Sequence, residues 1–133
     1  MRLTRRYRFS ASHRLDVPSF TTEENRRLFG KCNNPYGHGH DYVLDITVEG
    51  QPDESGQVVN RNALDSFIAS NVLGRFEHKN LNVDVPELAG AVPTTENLAV
   101  AIRDVIAREW PLRARLSRVR VSETERNIFE LEA

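Results

Sequence analysis

The chain has 133 residues, 39% of them hydrophobic and 28% charged. That is the length of one domain with a core of its own and the composition of a globular chain, not a disordered one. With 18 basic against 19 acidic residues the net charge is -1, which excludes a general nucleic-acid binder, and no apolar run approaches the ~20 residues of a bilayer span.

In chain order, Leu3 to His13 alternates, with Tyr7, Phe9, Ala11 and His13 on one face and Arg6, Arg8, Ser10 and Ser12 on the other. This is a half-buried strand. The cluster Arg2, Arg5, Arg6, Arg8 and Arg14 reads as the solvent face of that strand and not as a phosphate-binding stripe. Asp16 to Tyr36 is too long for a plain connection and carries two prolines, so it reads as a functional loop with one helical turn near Glu23 to Phe29. A second strand follows, in which Tyr42, Leu44, Ile46 and Val48 alternate with Asp41, Val43, Asp45, Thr47 and Glu49. Asp53-Glu54-Ser55-Gly56 is a turn.

Leu64, Phe67, Ile68, Val72 and Phe76 fall at helical spacing within a helix from about Asn62 to Arg75. A second helix begins after Pro93, with Thr94 as its N-cap and Glu96 in its first turn, and Pro111 stops it. Arg118 to Glu123 and Ile128 to Glu132 are the last strands. The order strand, strand, helix, helix, strand, strand gives an α+β domain over residues 1–133: a four-stranded antiparallel sheet with two helices on one face.

Chemistry concentrates in Cys32-Asn33-Asn34-Pro35-Tyr36-Gly37-His38-Gly39-His40, where five residues separate a thiol from a His-x-His pair. Residues i and i+2 of a strand share a face ~7 Å apart, close enough for both imidazoles to lean onto one ion. Alone, such a pair is equally a pair of surface histidines. His13 adds weight. If the first two strands pair across the long loop, His13, His38 and His40 meet at its root, and three neutral imidazoles with an open fourth position are the pattern of a catalytic zinc. As isolated features, His78 beside Glu77 reads as a surface turn and Glu123 as a solvated carboxylate at a strand end. A lone cysteine is a buried small residue or a chemical one, and a free thiol fits the reducing cytoplasm. Met1 to Phe9 lacks the apolar stretch of a signal peptide.

Phe9-Ser10-Ala11-Ser12-His13, Leu28-Phe29-Gly30-Lys31-Cys32-Asn33-Asn34-Pro35, Gly37-His38-Gly39-His40-Asp41-Tyr42, His78-Lys79-Asn80-Leu81, Pro93-Thr94-Thr95-Glu96-Asn97 and Glu123-Thr124 with Asn127 together resemble the 6-pyruvoyl-tetrahydropterin synthase family, in order and over nearly the whole chain. The wider superfamily includes 6-carboxy-tetrahydropterin synthases of the queuosine pathway, which usually have a shorter gap between the cysteine and the His-x-His pair.

The resemblance implies zinc held by His13, His38 and His40, with Cys32 as general base and His78 as its partner. Glu123 would bind the pterin edge and take part in the relay, with Thr94 and Thr95 near the ring. Glu77 stands where the family usually has Asp before the catalytic histidine. The implied reaction converts 7,8-dihydroneopterin triphosphate to the pyruvoyl product with loss of triphosphate. Lys79, Arg14 and Lys31 are candidate triphosphate contacts. The implied architecture is the tunnelling fold: the sheets of three subunits close a barrel, two trimers stack into a homo-hexamer, and the sites lie between subunits. Two other readings stay open: a 6-carboxy relative acting on the same substrate, and a non-enzymatic zinc module closed by Cys32 as fourth ligand.

Overall fold

The computed structural model describes residues 1–133. Four strands, β1 (Arg2–His13), β2 (His38–Glu49), β3 (Arg115–Ser122) and β4 (Ile128–Glu132), form one antiparallel sheet in the order β1-β2-β3-β4. Period-2 alternation drives this arrangement. Phe9, Tyr42, Leu44, Ile46, Val119 and Val121 all turn to one face and are at most 2% exposed.

That face is covered by two helical segments. The first is α2 (Arg61–Ile68), a π turn at Ala69–Leu73 and a final turn α3 (Gly74–Phe76); the second is α4 (Thr95–Glu109). Asn60 caps α2 by accepting from the Ala63 N–H, and Thr94 caps α4 by accepting from the Asn97 N–H. Leu64, Ile68, Val72, Phe76, Leu98, Ile102 and Ile106 are fully buried against the sheet. The expected helix near Asn62 to Arg75 is present, but its chain is wound one residue looser at the π turn.

Two expectations need correction. Arg5 is not on the solvent face of β1. It shares the parity of Tyr7, and its guanidinium grips Asp65 of α2 through both carboxylate oxygens, at 3.1 and 2.5 Å, while Tyr7 donates to the same carboxylate at 2.7 Å. An arginine at the margin of the helix layer can reach a helix carboxylate, which alternation alone does not reveal. Second, β2 begins at His38, ahead of the alternating stretch from Asp41 to Glu49, so the whole His-x-His pair is part of the strand. Gly37 makes that entry possible. Its φ is +81°, and a Cβ there would lie 3.0 Å from the His13 carbonyl oxygen.

The long loop is ordered around two buried asparagines. The Asn25 amide accepts from the Val17 N–H and donates to the Val17 and Thr21 carbonyls, which holds the short helix α1 (Thr22–Phe29) to the loop. Thr21 and Glu24 form a capping box at its start. Asn33, in the 3-10 turn Gly30–Asn33, donates to the Leu15 carbonyl at 2.7 Å, and the Leu15 N–H donates to the Cys32 carbonyl at 2.7 Å. Cys32 is thereby pinned to the end of β1.

Candidate active site

The register of β1 and β2 sets His13 opposite His38 and Ala11 opposite His40. All three histidines therefore stand at one end of the sheet. His13 is 1% exposed, and its Nδ1 meets the Pro93 carbonyl at 2.8 Å. A carbonyl oxygen can only accept, so Nδ1 carries the proton and Nε2 offers its lone pair. That Nε2 lies 3.1 Å from His40 Nε2. Glu123, one residue past β3, places Oε1 3.3 Å from His40 Nε2 and 3.9 Å from His13 Nε2. Cys32 Sγ is 3.7 Å from His40 Nε2. The ligand atoms of His13, Cys32, His40 and Glu123 all lie within 4.8 Å of one another, a group able to hold a metal ion. His38 stands beside this group, its ring 4.7 Å from that of His40 at 80°.

The electrostatics suit a cation. Burial lowers the proton affinity of His13 and His40 and keeps both imidazoles neutral, the form that binds metal. Burial, and then the Glu123 charge, push the Cys32 thiol up, so without a cation it stays protonated. Two nitrogens facing each other across 3.1 Å beside a carboxylate and a thiol form a donor set that a zinc-like ion fits.

Other residues singled out from the sequence fall nearby or apart. Glu123 begins the β3–β4 turn, where its N–H donates to the Asn127 carbonyl and Thr124 Oγ1 accepts from the Arg126 and Asn127 N–H groups. Thr94 spends its hydroxyl on the helix cap. Thr95 is buried, with its hydroxyl against that of Tyr42. His78 and Glu77 are not in the cluster. Their side chains are 76% and 41% exposed, with His78 Nε2 3.5 Å from Glu77 Oε1, so the longer carboxylate still reaches its histidine.

His78 takes a left-handed backbone, φ +59°. Its N–H donates to the Ser10 carbonyl, the Ser12 N–H donates to the Lys79 carbonyl, and the Leu81 N–H donates to the Ser12 carbonyl. The segment thus lies along the free edge of β1. His78 shares a cleft of about 520 Å³ with Ser10, Ser12, Asp41, Lys79 and His40.

Sequence reasoning missed three positioning groups. The Pro93 carbonyl fixes the His13 tautomer, Asn33 holds the Cys32 turn, and Asn82 bonds the Arg14 backbone in both directions, at 2.7 and 2.8 Å. Asn33, inside the cysteine motif, and Pro93, at the head of the Pro93–Asn97 motif, stood in recognisable stretches, but nothing there pointed to their partners. Pro93 and Asn82 act across sequence separations of 80 and 68 residues.

The family model described as 6-pyruvoyl tetrahydropterin synthase matches residues 2–133. The human protein named 6-pyruvoyl tetrahydrobiopterin synthase is 46% identical over 127 residues, covering 95% of this chain and 87% of its own. The Drosophila melanogaster protein of that name is 46% identical over 128 residues, covering 96% and 76%. The structure of Caenorhabditis elegans 6-pyruvoyl tetrahydropterin synthase superposes with a TM-score of 0.90 at 34% identity, over all of this chain and 95% of that one. Sequence, fold and the clustered histidines converge on one assignment, and the chain belongs to the 6-pyruvoyl tetrahydropterin synthase family.

Proposed function

We infer that this protein is a zinc-dependent carbon–oxygen lyase that converts 7,8-dihydroneopterin triphosphate to 6-pyruvoyl-tetrahydropterin with elimination of triphosphate. The observation that carries the reading is the cluster of His13, His40, Cys32 and Glu123 within 4.8 Å, in a chain of this family. His13, His38 and His40 would hold the ion, His38 standing beside His40 on the same strand. When bound, zinc supplies a Lewis acid for the oxygens of the substrate side chain and a positive charge that favours the Cys32 thiolate.

Cys32 takes a proton from a side-chain carbon. The adjacent electron pair is then passed along the side chain, triphosphate leaves with the electrons of its carbon–oxygen bond, and tautomerisation moves reducing equivalents from the side chain to the ring. The reaction is an internal redox change, so it draws on no external oxidant or reductant. Glu123 accepts from the ring N–H and exocyclic amine as a two-pronged acceptor. Thr94 and Thr95, at the start of α4, lie near the ring.

His78, with Glu77, is the proton partner of Cys32. Since its side chain is exposed and outside the Cys32 cluster, it serves the site of a neighbouring subunit. Free sheet edges support such an assembly. β4 pairs only with β3, and β1 is covered on its free side only at Ser10–Ser12. Unpaired edges invite pairing with another chain. The assembly is a homo-hexamer, a dimer of trimers in the tunnelling fold, in which residues 1–133 act as one domain. It works in the cytoplasm, where Cys32 stays reduced. No helix is long and apolar enough to cross a membrane.

Stripping the metal with a chelator and restoring it tests this reading. Triphosphate release from the substrate should stop and then return with zinc. Release at an unchanged rate from metal-free protein would contradict it.

A further inference from the structure

The strap of residues 78–82 occupies part of the free edge of β1. The Ser10 carbonyl accepts from the His78 N–H at 2.6 Å, the Ser12 N–H donates to the Lys79 carbonyl at 3.0 Å, and the Ser12 carbonyl accepts from the Leu81 N–H at 2.8 Å. β1 ends at His13, and at the next residue a side chain continues the pattern. Asn82 Oδ1 accepts from the Arg14 N–H at 2.7 Å, and Asn82 Nδ2 donates to the Arg14 carbonyl at 2.8 Å. A primary amide offers an acceptor beside a donor, as a strand backbone does, so a side chain builds one more rung of the ladder.

Stability does not account for this rung. Asn82 is exposed and both of its bonds lie at the surface, where water competes for the same groups and the net gain is small. Burial pins the strap at Leu81, which is fully buried. What the amide adds is a second fixed point, so the strap cannot pivot about Leu81. The other end of the strap shows why one is needed. His78 is the only residue other than glycine with a positive φ, +59°. Such a backbone persists only where its surroundings hold it. Released from its edge bonds, His78 would relax to an ordinary conformation and its ring would move.

Arg14 passes the constraint on. It follows His13 directly, and its Nε donates at 3.3 Å to the carbonyl of Asn33, the residue after Cys32. One connected set of bonds therefore joins the His78 strap, the end of β1 and the Cys32 turn, so that three separate segments move as one body. Proton transfer needs such rigidity, since a misplacement of about 1 Å can cost ~10²-fold in rate.

We propose that Asn82 is a positioning residue for the proton-transfer step: its amide, clamped on both backbone groups of Arg14, holds the strap that carries His78. This rests on the reading of His78 as the proton partner of Cys32, and the experiment separates the two. The variants are Asn82→Ala, His78→Ala and the two combined, zinc-loaded, with 7,8-dihydroneopterin triphosphate as substrate. Asn82→Ala should keep its zinc and lower kcat roughly tenfold with KM within about twofold. Amide hydrogen exchange over residues 78–81 should quicken in the ligand-free variant. A residue that acts through His78 has nothing left to lose once that ring is gone, so the double variant should turn over no more slowly than His78→Ala alone.

An unchanged kcat in Asn82→Ala would overturn the inference. So would loss of zinc, unaltered exchange over the strap, or losses that multiply in the double variant. If Asn82→Ala does not fold, Asn82→Asp keeps the acceptor for the Arg14 N–H, removes the donor to the Arg14 carbonyl, and carries the same cycle with the same outcomes. If His78→Ala alone turns over at the full rate, the proton-partner reading falls, and this inference with it.

Discussion

At the scale of single residues, the centre is a set of neutral imidazoles held ready for a cation. His13 is the most constrained of them, being 1% exposed with its tautomer set by the Pro93 carbonyl. Zinc content measured by atomic absorption should fall to near zero in His13→Ala, His38→Ala and His40→Ala, and full occupancy in any of them would remove that residue from the ligand set. Cys32 is placed where it can either ligate or accept a proton. Cys32→Ala is expected to retain its zinc and lose ~10²–10⁴-fold in turnover, the usual contribution of a general base. Loss of zinc together with unfolding would favour a closed structural site instead. The histidines were legible in the sequence because alternation assigns faces, and a common face plus strand pairing brings His13 to the His-x-His pair. The Pro93 carbonyl that fixes the His13 tautomer was not legible, since alternation reports where a ring points and says nothing about what its nitrogens meet.

At the scale of elements, the site depends on how the flanking segments are tied down. The long loop was recognisable as functional from its length, but its order comes from Asn25 and Asn33 bonding backbone groups that lie up to 18 residues away. A polar side chain in a loop does not announce such a role. The helix layer is tied to β1 by Arg5, Asp65 and Tyr7. The Arg5 guanidinium holds the Asp65 carboxyl below its ordinary value, against the opposing effect of partial burial. A depressed carboxylate contributes stability that is present above the unfolded value of ~3.9 and is lost as pH falls through the folded value. Asp65→Asn should therefore show a shallower loss of stability below about pH 4 in denaturant titrations than the unaltered protein. An identical acid limb would mean that the ion pair is not linked to folding. Phe76 ends the helical segment just before Glu77 and His78, is fully buried, and lies 6.5 Å from Phe9. Phe76→Ala should cost about 3–5 kcal/mol in equilibrium unfolding. A loss under 1 kcal/mol would show that the core collapses around the gap.

At the scale of the whole molecule, a single chain gathers most of the machinery and leaves His78 and Glu77 on its flank. Sequence patterning gave the sheet and its helix layer, because burial on one face is a property of the chain itself. It carried no information on which chain's cluster the exposed His78 would serve, since that depends on surfaces that would close only on assembly. Sedimentation at micromolar concentration should find a hexamer, and a stable, fully active monomer would contradict the placing of His78 in a neighbour's site. The central claim concerns the product. Five residues separate Cys32 from His38, and on this account the length of that loop decides which side-chain carbon the thiolate faces. The most direct measurement is mass analysis of the pterin formed when the zinc-loaded protein is incubated anaerobically with 7,8-dihydroneopterin triphosphate. The account predicts 6-pyruvoyl-tetrahydropterin and free triphosphate as the main products. A carboxylated pterin with acetaldehyde as the main products would contradict it.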